Sequence, residues 1–336
     1  MRTVLRRLCW MPVTLLGIAF VTFLLLDVVP SDRAVLELQQ GQRIHGEAQV
    51  AALRALRIRY GLIDAETGEP RPVLARFGSW CARAATFDLA PPGETAERFR
   101  FRFVQALATS ALLGVLALIV ALGLGGMLGA WWGARAARPS GRIVGGLALA
   151  LSTLPEFLVA TLLLLFLGGG VGPAVLPAVG LQSPGADALS GPARLADLLA
   201  HLALPVATLA LVPTVTVARF VAEGLGRALE AEFAHAMRGL GCDEHAVRRR
   251  ALRHALSPVW TLLGVLVPSL LTGTVVVEQV FSIQGFGRLT LDGVLRRDVA
   301  TTMASTLSVA VLVLFGLLVS DVLHRLADPR VELERR

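Results

Sequence analysis

Six long apolar stretches constrain the fold of this chain more than any other feature. The stretches cover residues 9–29, 104–131, 143–168, 198–218, 259–281 and 303–323, and polar or Gly/Pro-rich connections separate them. The first alone contains 21 residues. At about 1.5 Å per residue, a helix of this length crosses the hydrocarbon core of a bilayer, about 30 Å thick. Backbone groups in lipid must be hydrogen-bonded internally, so we predict an all-α, polytopic membrane helix bundle with six transmembrane helices.

The composition supports a membrane protein and excludes one way of using ATP. Mean hydropathy is +0.66, with 54% hydrophobic and 17% charged residues, which is outside the range of ordinary soluble domains. All 32 basic residues are arginine. Because a nucleotide-binding P-loop needs a lysine on the phosphates, this chain cannot hydrolyse ATP by that route and would need a separate ATPase.

Candidate metal ligands are few and widely spaced. Cys9, Cys81 and Cys242 show no metal-ligand spacing, and we expect no intrachain disulfide among them. His201 has no second histidine or carboxylate three or four residues later, so it is interpreted as a structural histidine. We therefore expect neither a metal site nor a cofactor.

The distribution of arginines predicts the orientation of the helices. Arg2, Arg6 and Arg7 precede the first apolar stretch, and no A-x-A site follows it, which favours a retained signal anchor over a cleaved signal peptide. With the N-terminus in the cytoplasm, the seven arginines between Arg219 and Arg253 and the four in the C-terminal tail are cytoplasmic as well. The positive-inside rule thus predicts an N-in and C-in topology.

Residues 30–103 are predicted to form an external accessory segment. Four apolar residues recur at helical spacing before Gly61, a predicted C-cap: Val50, Leu53, Leu56 and Tyr60. The stretch from Asp64 to Pro72 has turn composition. Aromatic residues at positions 77, 80 and 87 indicate an apolar patch that lies on the membrane, contacts a partner or packs within the loop.

The polar insert between the fourth and fifth stretches is the second strong feature. Residues 230–258 contain nine Asp, Glu or Arg residues and cannot lie in lipid. Gly239 and Gly241 interrupt a helical pattern, and Asp243 is a predicted N-cap for a basic helix. The insert is therefore interpreted as two short helices joined by a glycine elbow. Ser257 and Pro258 are predicted as the N-cap and first residue of the next helix.

Ionisable residues within the apolar stretches are the other candidates for function. Glu156 follows Pro155 in the third stretch, about thirteen residues or roughly 20 Å from its cytoplasmic end, and is predicted near the bilayer centre. It either faces a transport path or forms a hydrogen bond with another helix for assembly. Glu278 and Asp321 lie toward the ends of their helices, where an interfacial position is expected.

The glycine elbow resembles the coupling loop of the membrane subunits of ABC-type importers. That loop has a Glu-Ala-Ala pattern, three residues, a glycine and a basic helix. His235, Ala236 and Met237 stand at the Glu-Ala-Ala positions and Gly241 at the glycine. The resemblance implies that the loop contacts an ATPase through Glu232, His235, Ala236, Arg238, Leu240, Gly241, Cys242, Asp243 and Arg250.

Further motifs extend the resemblance over nearly the whole chain, to the permeases of dipeptide, oligopeptide and nickel ABC importers. In sequence order they are LRRL and PxxLLGI within 5–18, LRIRYGL at 56–62, FDLAPP at 87–92, SxxPxF at 152–157, LPAVG at 176–180, HLALP at 201–205, VVVEQVF at 275–281, GFGRL at 285–289 and ADPR at 327–330. Ser31 and Gln284 depart from the usual Gly and Pro of this family.

What the resemblance implies is a type I ABC importer-like permease subunit in the cytoplasmic (inner) membrane. Its expected partners are a homologous second permease, two cytoplasmic ATPase subunits, an external solute-binding protein and membrane lipid, with no nucleic acid. The chain itself would do no covalent chemistry. Pro155, Glu156 and Glu278 are the candidates for a translocation path or subunit interface. A secondary transporter or channel is the alternative.

The expected organisation follows from these assignments. It consists of a tail and first helix at 1–29, the external segment at 30–103, a permease core at 104–324 with a cytoplasmic loop at 219–257, and a cytoplasmic tail at 325–336.

Overall fold

A computed structural model describes residues 2–28, 47–86, 88–91, 94–136 and 138–327. Within these residues the chain forms twelve α-helices and only isolated β-bridges, which confirms the predicted all-α class. The first six helices are α1 (Arg2–Val28), α2 (Glu47–Arg59), α3 (Val73–Ala85), α4 (Ala96–Gly133), α5 (Pro139–Ser152) and α6 (Glu156–Leu167). The remaining six are α7 (Gly191–Glu230), α8 (Glu232–Gly239), α9 (Glu244–Ala255), α10 (Ser257–Val280), α11 (Phe286–Leu295) and α12 (Val299–Ala327).

Several of these helices are long and apolar enough to cross a membrane. In the described ranges there are four such helices, namely α1, α4, α7 and α12, and up to five if the pair α5 and α6 forms one span. Helix α10 coincides with the predicted fifth stretch, 259–281. The chain is thus a multi-pass helical membrane protein, whereas the count of six spans and the orientation stay predictions.

The third apolar stretch is not one helix, contrary to the prediction. Helix α5 ends at Ser152, α6 begins at Glu156, and the two axes differ by 98°. Pro155 lies at the break in an extended conformation (φ −58°, ψ 137°), because proline lacks an N–H and disfavours helix at the residue before it. The position of Glu156 near the bilayer centre, which assumed a straight helix, therefore does not follow.

The described residues of 1–107 and 289–311 form one compact unit. In it Phe77 of α3 packs against Phe20 and Phe23 of α1, and Trp80 stacks on Phe77. Arg76 forms an ion pair with Asp27 beside these rings. Two members of the predicted aromatic patch, Phe77 and Trp80, thus pack against the first helix, whereas position 87 lies outside the described residues.

Helix α2 and the turn after it agree with the sequence pattern. Gly61 has φ +65°, and its N–H donates to the carbonyl of Ile58, so it terminates α2 as predicted. The Asp64 carboxylate then accepts hydrogen bonds from the N–H groups of Glu66 and Thr67, which closes the predicted turn.

The second unit comprises the described residues of 108–288 and 312–336, and α7 lies at its centre. Helix α7 contacts α5, α6, α9 and α10. Glycines let α4 approach it closely: a Cβ on Gly125, Gly129 or Gly133 would lie 2.5 to 2.8 Å from a carbonyl oxygen of α7. Such close backbone contacts suit helix packing in lipid, where apolar burial gives little driving force. Gly123 and Gly126 of the same helix have nothing within 4 Å of the position that a Cβ would occupy.

Candidate functional site

The glycine elbow has the geometry that its sequence predicts. Gly241 has φ +77°, a left-handed conformation that favours glycine. Its N–H donates to the carbonyl of Arg238, and the N–H of Cys242 donates to that of Met237, each at 3.0 Å. These two bonds form a Schellman motif, which ends α8 and turns the chain toward α9.

Side chains brace the two arms of the elbow. The Asp243 carboxylate caps α9 by accepting the N–H of His245 at 3.3 Å. The Arg238 guanidinium donates to Glu244 at 3.1 and 3.3 Å and to the carbonyl of Leu229 at 3.1 Å, so it links the end of α7 to the start of α9. This hydrogen bond from Arg238 lowers the pKa of the Glu244 carboxyl below its usual value.

The elbow is anchored to α7 through the buried face of α9. Val247, Ala251 and Ala255 are buried, and the last two share an apolar cluster with Leu225 and Ala228 of α7. A Cβ on Gly224 would lie 3.0 Å from the Cα of Ala255. These anchors were not predicted, although the spacing of 247, 251 and 255 at four residues was the available signal. This packing holds the buried face of α9 against the end of α7.

All nine residues predicted for ATPase contact are exposed or half-exposed: Glu232, His235, Ala236, Arg238, Leu240, Gly241, Cys242, Asp243 and Arg250. Leu240, at the tip, is 84% exposed, and this is an unusual position for an apolar side chain on an otherwise polar loop. Cys242 beside it is a free, exposed thiol.

The entry into α10 differs by one residue from the prediction. Ser257 is the first helical residue rather than the N-cap, and Leu256 precedes it with helical dihedral angles (φ −78°, ψ −17°). Helix α9 therefore passes into α10 with almost no break. A nearly continuous helical path then leads from the elbow into the fifth apolar stretch.

Glu156 lines a cleft between α6, α7 and α10. The cleft has a volume of about 220 Å³, and its lining consists of Leu154, Glu156, Val159, Thr208, Leu209, Leu211, Val212, Pro213, Thr216, Leu266 and Ser269. Glu156 is half-buried in the first turn of α6, and Pro155 before it is exposed. Glu278 is not part of this lining, so the structure does not bring the two predicted carboxylates together in one cleft.

Glu278 is fully buried within the protein, contrary to the expectation that it would not be deeply buried, whereas its depth in the membrane stays a prediction. Ser110 of α4 donates its hydroxyl to Glu278 at 2.5 Å, and the N–H of Phe286 donates to that hydroxyl oxygen at 2.7 Å. The N–H of Arg288 donates to the second carboxylate oxygen at 2.7 Å. A Cβ on Gly285 would overlap the carboxyl group. The start of α11 folds back onto this carboxylate, so it is buried although it lies in the last turn of its own helix.

His201, which was interpreted as a structural histidine, lies on the buried face of α7. It is buried, and its Nδ1 lies 2.8 Å from the carbonyl oxygen of Asp197. In the part of the chain that the structure describes, no group of three His, Cys, Asp or Glu side chains has a geometry that could hold a metal ion.

Residues 125–333, more than half of the chain, match the family described as "binding-protein-dependent transport system inner membrane component". The chain belongs to this family of permeases. The matched range includes Glu156, the elbow and Glu278, so every candidate site lies within the family region of the permease.

Sequence alignments with curated relatives extend over most of the length of the permease. It is 32% identical over 295 residues to the oligopeptide transport system permease protein OppB of Mycobacterium bovis, with 83% of this chain and 88% of the relative covered. It is 33% identical over 234 residues to the dipeptide transport system permease protein DppB of Lactococcus lactis, with coverages of 68% and 70%. The DppB protein of Bacillus subtilis is 27% identical over 340 residues, with coverages of 100% and 99%.

Proposed function

We propose that this permease is a membrane subunit of an ATP-driven importer that moves peptides across the cytoplasmic (inner) membrane. Relatives whose names specify oligopeptide or dipeptide transport, aligned over 83% to 100% of the chain, support the solute class. A homologous second permease, two cytoplasmic ATPases and an external solute-binding protein complete the proposed complex. ATP hydrolysis takes place on the ATPase subunits.

The observation that carries this proposal is the exposed elbow, together with the packing of α9 against α7. Leu240 and Gly241 form the tip, while the buried face of α9 joins the tip to α7 and its direct passage into α10 joins it to the fifth stretch. We propose that an ATPase groove receives the tip and that displacement of the ATPase moves α7 and α10 together. Pro155 and Glu156 are proposed to lie on the translocation path or at the permease interface.

Coupling is tested in proteoliposomes that contain the permease, its partner permease, the two ATPases and the binding protein. Leu240→Asp and Gly241→Glu place an unpaired charge in the docked tip, which is costly when it is buried. We expect insertion to be normal, peptide uptake to fall at least tenfold, and ATPase co-purification to decrease. Leu240 has a negative φ, so Leu240→Asp adds a charge without the backbone strain that a side chain causes at Gly241. Comparison of the two variants therefore separates the effect of charge from that of strain.

Gly226→Glu is the matched control. It adds the same side chain to α7, the helix against which the elbow packs, at a position where a Cβ has nothing within 4 Å. We expect uptake in this variant to stay within twofold of the unmodified complex. If both tip variants retain ATPase binding and peptide-stimulated hydrolysis, the elbow is not the coupling element.

A further inference from the structure

We propose that the Glu156 cleft binds a cationic amine and, in the importer, holds the α-ammonium end of a peptide during its passage. The cleft lies among α6, α7 and α10, which contact one another in pairs. That the cleft binds an amine is argued from its lining alone. That this amine belongs to a peptide rests on the proposed function.

The size of the cleft fits one end of a solute. Sites for drug-sized molecules have volumes of about 300 to 1,000 Å³, and this cleft has about 220 Å³. Its walls are mostly apolar, with Leu154, Val159, Leu209 and Val212 among the lining residues. Apolar walls around one charged group suit a short carbon chain that ends in a charge.

Glu156 supplies the charge in this lining. Among the lining residues that the structure describes it is the only acidic side chain, and none of them is basic. Among the side chains that the structure describes, none forms an ion pair or hydrogen bond with Glu156. A half-buried carboxylate without a partner is costly in a membrane span and is typical of a ligand site.

The other polar atoms of the lining present acceptors rather than donors. The hydroxyl groups of Thr208, Thr216 and Ser269 donate to the carbonyls of Leu204, Val212 and Leu266 at 2.9 Å each. Their hydroxyl hydrogens therefore point to carbonyls of their own helices, and the oxygens of Thr208 and Thr216 present lone pairs as acceptors. A ligand anion would find no donor among these hydroxyls.

Pro213 adds a backbone acceptor in the same wall. Proline has no N–H, so the carbonyl of Leu209, four residues earlier, lacks its usual helical donor. Both residues line the cleft. An ammonium group has three N–H donors and one positive charge, and thus matches a carboxylate, hydroxyl oxygens and a carbonyl without its helical donor.

The test uses small charged thiol reagents in the assembled importer. Val212→Cys places a thiol in the lining, at a position that is 42% exposed. Its reaction rates with 2-aminoethyl methanethiosulfonate, which carries an ammonium group, and with the sulfonate analogue are followed by mass spectrometry of the peptide containing position 212. Site-resolved detection lets the three native cysteines stay in place.

With Glu156 present, we expect the cationic reagent to react at least tenfold faster than the anionic one. The added change Glu156→Gln keeps the shape, removes the charge and should bring the ratio close to that of a free thiol. Glu156→Asp should retain most of the preference. Equal ratios with and without the carboxylate would refute a cation site. A thiol that reacts with neither reagent in the complex but with both in the isolated permease would also refute it and indicate an assembly contact.

Protection experiments test the peptide part of the inference. A dipeptide with a free amino terminus should slow the labelling of Val212→Cys, its N-acetylated form should not, and Glu156→Gln should abolish the difference. Equal protection by both forms would exclude recognition of the amine. Failure of the proposed function would be seen differently, as absence of ATP-dependent peptide uptake by the unmodified complex while the charge preference of the thiol persists.

Discussion

The buried carboxylate of Glu278 accepts hydrogen bonds from several parts of the chain. A carboxylate in this position accepts from Ser110, Thr274 and the N–H groups of Gly287 and Arg288. It therefore satisfies the first amide groups of α11, which have no partner within their own helix. The glycine at position 285 gives the carboxylate its space. These contacts favour a positioning role for Glu278, which joins α10, α4 and the start of α11.

We predict that Glu278→Gln destabilises the permease by about 1 to 3 kcal/mol, because the amide NH₂ cannot accept a hydrogen bond and leaves a buried donor unsatisfied. The measurement is the thermal unfolding of the purified subunit in detergent. Glu223→Gln is the control, since Glu223 is exposed and forms an i,i+4 pair with Arg219, and it should change little. An unchanged unfolding transition in Glu278→Gln would show that the carboxylate network contributes no stability.

Asp243 allows a second test at the scale of one residue. Its side chain caps α9, and the loss of such a cap costs about 1 kcal/mol. In Asp243→Ala we expect the amides of the first turn of α9 to exchange with deuterium several times faster. Asp243→Asn retains an acceptor oxygen and should exchange at the original rate. Equal exchange in both variants would mean that the packing of α9 on α7, rather than the cap, holds the first turn.

Local chemistry decides which residue roles the sequence can predict. The left-handed glycine at 241 and the cap at 243 were predictable because their hydrogen bonds join residues two to five positions apart. The burial of Glu278 was not, since all of its donors except Thr274 come from Ser110 and from residues beyond the end of its own helix. The cleft around Glu156 was likewise hidden, because its lining combines three separate helices.

At the scale of the helix, hydropathy located the apolar stretches but not where helices end. Helix α7 continues to Glu230, twelve residues beyond the predicted end of the fourth stretch at 218, and α4 begins at Ala96 rather than 104. A helix can continue beyond the bilayer into polar residues. The end of a hydrophobic stretch therefore does not mark the end of the helix. The proline at position 155 indicated a disturbance of the helix, but only the structure shows that the axes of the two helices differ by 98° and that the helix is not merely kinked.

The glycine contact between α4 and α7 can be tested with a matched pair. A Cβ at Gly129 would lie 2.5 Å from the carbonyl oxygen of Ala218, whereas Gly126 on the same helix has nothing within 4 Å. We predict that Gly129→Leu forces the helices apart and costs about 1 to 3 kcal/mol or more. It should lower the yield of monodisperse protein and the unfolding temperature, while Gly126→Leu should resemble the unmodified protein. Similar behaviour of both variants would contradict a close α4–α7 contact.

For the whole molecule, the bent pair α5 and α6 determines which side of the membrane each later segment occupies. If the pair crosses the bilayer, α7 starts outside and the elbow is cytoplasmic, in agreement with the positive-inside prediction. If the pair turns back, α7 starts in the cytoplasm and the elbow faces outward. The seven arginines between Arg219 and Arg253 would then all be external, which the rule strongly disfavours for a short loop.

We therefore predict that the bent pair crosses the membrane and that the elbow is cytoplasmic. A reporter that is active only outside the cytoplasm should work when fused after Gly61 or Gly185 and fail when fused after Ala136 or Gly241. Gly61 and Ala136 flank the long helix α4 and serve as internal controls, because their sides do not depend on the bent pair. Gly185 and Gly241 lie on either side of α7 and report on the pair directly. Inactivity at Gly185 combined with activity at Gly241 would mean that the pair is re-entrant. An elbow on the outer side could not reach a cytoplasmic ATPase, so the coupling proposal would fall with it.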